Sequence, residues 1–102
     1  MPGNPLLAGL RPTHPGEILR EDILPAVGLS EAELAGRLHV SRADLQEIVE
    51  ERQPVNPGMA LRLARFLGNS PEFWLNLQRD YDVATLSRAM DKELSEIEPI
   101  AA

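Results

Sequence analysis

The sequence predicts an all-α protein built around a helix-turn-helix. Apolar residues recur at intervals of three and four along the chain, and no segment shows the two-residue alternation of a β-strand. Capping residues followed by Pro, or by an acidic residue three positions later, mark one helix start after another. We therefore expect five helices and a partly ordered acidic tail.

The first predicted helix opens at a His-Pro pair. His14 stands at the N-cap, Pro15 suits the first helical position because its missing N–H costs nothing there, and Glu17 is placed to bond back to the cap. Pro25 and Gly28 are expected to end the helix. His14 has an alternative role as a ligand or general base, but no other His or Cys lies near it in the sequence to support that role. The predicted buried face holds Ile18, Leu19, Ile23 and Leu24.

Residues 30–52 form the centre of the predicted fold, with two short amphipathic helices back to back. Ser30 with Glu33 is a capping box that opens the first helix, and Ser41 with Asp44 opens the second more loosely. Two helices joined steeply by such a short turn form a helix-turn-helix, whose second helix can enter a DNA major groove. The alternative is an ordinary αα-hairpin inside a bundle. The residues expected to bury together are Leu34, Ala35, Leu38, Val40, Leu45, Ile48 and Val49.

The turn between these two helices departs from the common pattern. Gly is commonest at the position of His39, because a left-handed backbone is less well tolerated by residues with a side chain. Val40 is too apolar for a solvated loop, so it should fill the angle between the helices.

Two more helices are predicted after the motif. Asn56 caps the first, Pro57 starts it and Gly68 closes it. Ser70 caps the second and Pro71 takes its first position. The predicted inner stripe of the first consists of Ala60, Leu63, Ala64 and Leu67, and the predicted core residues of the second are Phe73 and Trp74.

Composition limits the domain organisation and the possible partners. The 102 residues fit one domain, with a mobile arm over 1–10, a helix-turn-helix domain over 11–82 and an acidic, partly helical extension over 83–102. Without Cys there is no disulfide or thiolate metal site, and without a signal-like or membrane-length apolar stretch we expect a cytoplasmic protein with no membrane partner. The net charge of −6 is unsuited to a protein that binds nucleic acid alone, but it suits one that also holds a basic partner.

Three segments together resemble the HigA-type antitoxins, a branch of the Cro/C1-like (XRE, lambda repressor-like) helix-turn-helix family. They are RPTHPGEILREDIL (11–24), LSEAELAGRLHVSRADLQEIVEER (29–52) and VNPGMALRLARFLGNSPEFWLNLQRDYD (55–82). The resemblance implies a protein with no enzymatic activity and no cofactor. It implies two partners, a HigB-type toxin, which is a small basic messenger-RNA-cleaving ribonuclease of the RelE class, and the promoter DNA of its own operon, bound as a homodimer.

The resemblance places the N-terminal part of the second motif helix against DNA bases. The residues predicted to contact DNA are Arg37, Ser41, Arg42, Ala43, Asp44, Gln46, Glu47 and Arg52. Arg42 is expected to contact guanine and Gln46 adenine, each through two hydrogen bonds. Arg37 and Arg52 are expected to reach phosphates.

The charge of this helix departs from the family pattern. Relatives commonly end it with Asn-Gly and basic residues, whereas this chain has Glu50, Glu51, Arg52 and Gln53. From Arg42 to Arg52, two arginines stand against four carboxylates, which repel phosphate. DNA binding is therefore predicted to be weak or strongly dependent on salt.

The remaining partner surfaces are predicted from apolar and acidic residues. The candidate dimer interface is Tyr81, Val83 and Leu86, with simple core packing of this stretch as the alternative. The candidate toxin-binding carboxylates are Glu17, Glu21 and Asp22 on the first helix, together with Asp91, Glu93, Glu96 and Glu98 of the tail. Acidic surface complements a basic ribonuclease, although an ordinary solvated helix face has the same composition.

Three rival functions are open at this level. The alternatives to a DNA-binding antitoxin are a free-standing regulator without a toxin, an antitoxin that has lost DNA binding, and an enzyme. Against an enzyme, the sequence has no Cys, no pair of neighbouring His residues and no Gly-rich phosphate-binding loop.

Overall fold

The computed structural model describes residues 12–100, and these form six helices and no strand. The first helix, α1, has three continuous pieces: α-helical Pro15–Ile18, π-helical Leu19–Ile23 and α-helical Leu24–Val27. The others are α2 (Glu31–Leu38), α3 (Arg42–Val49), α4 (Pro57–Leu67), α5 (Pro71–Ala89) and α6 (Asp91–Ser95). The all-α prediction is confirmed, whereas the predicted arm over 1–10 lies outside the described residues. Within 12–100, no helix is long and apolar enough to cross a bilayer.

Side-chain caps confirm the predicted helix starts. The Ser30 hydroxyl accepts the Glu33 N–H at 3.1 Å and the Glu33 carboxylate accepts the Ser30 N–H at 2.9 Å, which completes the capping box. The Ser41 hydroxyl accepts the Asp44 N–H at 3.0 Å. The caps of α4 and α5 are Asn56 and Ser70, as predicted.

The cap of α1 uses the imidazole rather than the neighbouring carboxylate. His14 Nδ1 accepts the Gly16 N–H at 2.8 Å, so the prediction that His14 is the N-cap is confirmed. The predicted return bond from Glu17 to the cap is absent from the described residues, since the one bond between the two residues is from the Glu17 N–H to the His14 carbonyl. Burial lowers the pKa of His14, against weaker opposing effects of Glu51 and Asp82.

The prediction that Pro25 ends α1 is wrong. The helix continues through Val27 and ends at Gly28, which has a left-handed backbone with φ 70°. A π turn precedes the proline, with the Leu24 N–H bonded to the carbonyl of Leu19, five residues back. The wider turn accommodates one extra residue and lets the helix pass through a proline that has no N–H to donate.

The core is an aliphatic cluster around one tryptophan. Trp74 is fully buried, and its indole N–H donates to the Asn69 side chain at 3.1 Å. The predicted burial of Phe73 is wrong, because its side chain is 43% exposed and stacks edge-on against Trp74 with ring centroids 5.1 Å apart. The buried set otherwise includes Leu19, Leu34, Ala35, Leu38, Leu45, Ile48, Val49, Ala60 and Leu63, with Val40 packed against it as predicted.

Candidate nucleic-acid interface

The turn between α2 and α3 is built from a left-handed histidine and a half-buried valine. His39 has φ 59° and ψ 43°, so it takes the left-handed conformation expected at this position in spite of its side chain. The Val40 N–H then bonds to the Ala35 carbonyl at 3.0 Å, and Ser41 starts α3 immediately afterwards. This turn fixes the direction in which α3 leaves α2.

An arginine that the sequence did not point to closes the C-terminal end of α2. Arg62 Nη1, on α4, donates to the carbonyls of Leu38 at 2.8 Å and His39 at 3.2 Å. These carbonyls have no partner within their own helix, and a cation is favourable at this end of a helix. Because the residues are 23 and 24 positions apart, no local sequence pattern reveals the contact.

Helix α3 has one buried face and one exposed face. Leu45, Ile48 and Val49 are buried in the core. On the other side, Ser41, Arg42, Ala43 and Asp44 are exposed, and Gln46 and Glu47 are half-buried. The helix therefore presents its N-terminal half outward on a rigid scaffold, which is the arrangement that groove reading requires.

The C-terminal half of α3 holds its own charges in a local network. Arg52 donates to the Glu47 carboxylate at 2.7 Å and also pairs with Glu50. The Gln46 amide donates to the Glu50 carboxylate at 2.9 Å. The bond from Gln46, followed by those from Arg52, lowers the pKa of Glu50. Gln46 and Arg52, both predicted to contact DNA, are thus already bonded to carboxylates, and those carboxylates are partly neutralised.

Arg20 of α1 holds the end of α3. Its Nη1 donates to the Val49 carbonyl at 2.6 Å, and its Nη2 pairs with the Glu51 carboxylate at 3.0 Å. Glu51 has a left-handed φ of 63°, a conformation that glycine adopts at lower cost. Hydrogen bonds to Glu21 and Glu51 raise the pKa of Arg20. Sequence reasoning missed this contact because Arg20 and Val49 are 29 residues apart.

Two of the predicted DNA-contacting arginines form no ion pair with the described residues. Among residues 12–100, neither Arg37 nor Arg42 forms an ion pair, and the same holds for Asp44. Arg42 is therefore available in the first turn of α3, beside one unpaired carboxylate. The local charge of the presented surface is nearly balanced, in contrast to the acidic chain as a whole.

The predicted acidic surface on α1 is not uniform. Glu21 and Asp22 are exposed, and Glu21 pairs with Arg20 at 2.9 Å. Glu17 is half-buried and lines a small polar cavity with His14, Tyr81 and Arg88.

The predicted dimer residues lie on the second half of α5. Val83 is 58% exposed and Leu86 is 53% exposed, so neither belongs to the core. Tyr81 is half-buried, with its ring edge-on to His14 at a centroid distance of 4.9 Å. Exposed apolar residues continue beyond Leu86 at Met90, Leu94 and Ile97.

Comparison with known proteins identifies the family to which this chain belongs. The family model described as helix-turn-helix matches residues 19–74. Virulence-associated protein I of Dichelobacter nodosus is 49% identical over 70 residues, which is 69% of this chain and 65% of that protein's length. Antitoxin HigA-1 of Vibrio cholerae is 31% identical over 90 residues, covering 88% of this chain and 85% of the relative.

A solved structure shows the same fold on DNA. The Pseudomonas aeruginosa antitoxin HigA, determined with the higBA promoter, has a TM-score of 0.83 to this chain at 44% identity. The match covers 88% of this chain and 99% of the antitoxin.

Proposed function

The chain belongs to the HigA-type branch of the helix-turn-helix family, and on that premise we propose that it is an antitoxin that binds its own promoter as a dimer. As a member of this family it is a DNA-binding regulator and not an enzyme. The proposed second activity is neutralisation of a RelE-like, messenger-RNA-cleaving toxin. Both activities would be carried by one small, acidic domain.

The exposed first turn of α3 carries the DNA-binding half of the proposal. Ser41, Arg42 and Ala43 face solvent while the opposite side of the helix is fixed in the core. We assign Arg42 to a guanine edge, which accepts two hydrogen bonds from a guanidinium, and Arg37 to a phosphate. Gln46, Asp44, Glu47 and Arg52 complete the proposed contact surface, with Gln46 exchanging its bond to Glu50 for one to adenine.

The proposed dimer interface is the exposed apolar surface on the second half of α5. Val83 and Leu86 are exposed aliphatic side chains about one turn apart, and the half-buried Tyr81 lies two residues before Val83. A two-fold interface here would place the two α3 helices about one DNA turn, roughly 34 Å, apart.

The toxin-binding half uses the acidic side of α1. Glu21 and Asp22 are exposed and Glu17 lies at the edge of the same helix, so a basic ribonuclease surface would meet carboxylates there. Binding would redirect Glu21 from its pair with Arg20 toward the basic partner.

A gel shift with the chain's own promoter tests the DNA half. With about four phosphate contacts in a dimer, affinity should fall about a hundredfold between roughly 50 mM and 200 mM salt. A shift that is equal for unrelated DNA, or no shift at the lower salt, would indicate an antitoxin that does not read DNA.

Co-expression with a small basic protein encoded beside this gene tests the toxin half. Rescue of growth and co-purification of the two proteins are the expected results. Normal growth of cells that carry the neighbour alone would instead favour a free-standing regulator.

A further inference from the structure

A groove with three arginines and an apolar floor runs between the C-terminal end of α2 and the outer face of α4. We call it the arginine groove, and its charged residues are Arg37, Arg62 and Arg65. These are three of the ten Lys and Arg residues of a chain whose net charge is −6. Among residues 12–100, no carboxylate lines the groove. The groove is therefore a local reversal of the protein's charge, and it favours an acidic occupant.

The apolar residues of the groove limit which class of acidic ligand fits it. Leu61 lies on the exposed face of α4 with its side chain 60% exposed, and Phe66 is half-buried beside it. A phosphate backbone offers nothing to cover these carbons. An acidic peptide that carries an aliphatic side chain satisfies both the arginines and the apolar surface.

The chain itself ends in a segment of this composition. Residues 93–100 place Glu93, Glu96 and Glu98 among Leu94, Ile97 and Ile100. Ile97 is 66% exposed, so the segment does not fill the groove of its own chain. It includes the last residues of α6 and follows α5, whose 19 residues extend roughly 28 Å.

We propose that the arginine groove binds the acidic C-terminal segment, residues 93–100, of a second copy of the chain. The carboxylates of the segment pair with Arg37 and Arg65, and Ile97 covers Leu61. Arg62 keeps its bonds to the carbonyls at the end of α2 and contributes its remaining donors. The proposal does not depend on a toxin, and the segment would compete with the proposed DNA phosphate for Arg37.

The absence of Cys from the sequence allows a direct test by disulfide cross-linking between two single-Cys variants. Full-length Leu61→Cys and Ile97→Cys proteins, distinguished by mass, are mixed in a glutathione redox buffer. The expected product is a mixed disulfide dimer, at least tenfold more abundant than that between Leu61→Cys and Val27→Cys. Val27 is an exposed aliphatic residue on α1, away from the groove, and serves as the matched control.

Charge reversal then identifies the contacts. Adding Arg65→Glu to the Leu61→Cys protein should reduce the cross-link at least fivefold, and adding Glu96→Arg to the Ile97→Cys protein should restore it. Arg79→Glu changes the charge equally at an exposed site on α5 and should have no effect.

Three results would overturn the proposal. Equal cross-linking with Val27→Cys would show that the encounter is random. An intrachain disulfide in a dilute Leu61→Cys/Ile97→Cys protein would assign the groove to the chain's own segment. If Arg65→Glu abolished promoter binding but left the cross-link unchanged, the groove would be identified as a surface that binds DNA phosphates.

Discussion

At the scale of single residues, Gly16 allows α1 to pack directly on α3. A Cβ at this position would overlap the main-chain carbonyl oxygen of Ile48. That oxygen belongs to a helix held in the core, so it cannot move aside in the way that a flexible side chain would. The position of α3 relative to α1 therefore depends on the absence of one methyl group.

Gly16→Ala should destabilise the fold by about 3 kcal/mol, as expected for overpacking against backbone. Gly36→Ala is the matched control, since an added Cβ on α2 meets no atom within 4 Å and should stabilise the helix by about 0.5–1 kcal/mol. Urea denaturation of both variants measures the free energy of unfolding. Equal effects of the two substitutions would show that α1 is not in direct contact with α3.

His14 makes the stability depend on pH. Its Nδ1 accepts the Gly16 N–H, and burial lowers its folded-state pKa below the ordinary value of 6.5. The unfolded chain therefore binds a proton first, so this contribution to stability is complete above pH 6.5 and is lost as the pH falls through the folded-state pKa.

His14→Asn should remove that part of the pH dependence, because Asn caps a helix without titrating in this range. The measurement is the free energy of unfolding by urea, compared between about pH 7.5 and pH 5.5. The wild-type protein should lose more stability than the variant over this interval. Identical losses would mean that the cap bond does not depend on the protonation state of His14.

At the scale of helices, the starts were predictable from the sequence, whereas the stop at Pro25 was wrongly predicted and the contacts between helices could not be predicted. Caps such as Ser30 and Asn56 act on amide groups three residues away, so their signal is local. The π turn before Pro25 and the bonds of Arg20 and Arg62 depend on elements that meet only in the folded chain. Phe73 and Trp74 are equally apolar neighbours, and only the fold decides which of them is buried.

The turn between α2 and α3 retains strain that a glycine would relieve. His39→Gly should raise the free energy of unfolding by about 0.5–1 kcal/mol, because a left-handed backbone is costly for a residue with a Cβ. His39→Ala keeps the Cβ and should give no gain. Thermal or urea unfolding distinguishes the two, and an equal response would indicate that the conformation of this turn carries no strain.

At the scale of the whole molecule, ion pairs within the chain reduce the repulsion that an acidic protein would exert on DNA at the exposed face of α3. Arg52 is shared between Glu47 and Glu50, and Arg20 pairs with Glu51, so these three carboxylates are partly neutralised. The sequence predicted repulsion from four carboxylates, whereas only Asp44 stays unpaired beside Arg42 in the described part of the chain. Net charge along a segment could not reveal which carboxylates are paired.

Leu86→Glu should weaken the proposed homodimer at least tenfold without destabilising the monomer, because Leu86 is more than half exposed. Sedimentation velocity over a range of concentrations measures the association. Val27→Glu, an apolar-to-acidic change at an exposed position on α1, provides a comparison outside both proposed contacts between copies. Unaltered association of the Leu86→Glu protein would remove α5 from the interface.

The central claim is that the exposed first turn of α3 reads DNA, and the binding isotherm of Arg42→Ala on the chain's own promoter tests it most directly. Loss of a two-bond contact to guanine should weaken specific binding by about tenfold to a hundredfold, with little change on unrelated DNA. Arg79→Ala, at an exposed position on α5, should bind as the wild-type protein does. Equal affinity of Arg42→Ala and wild-type protein for the promoter would contradict the claim.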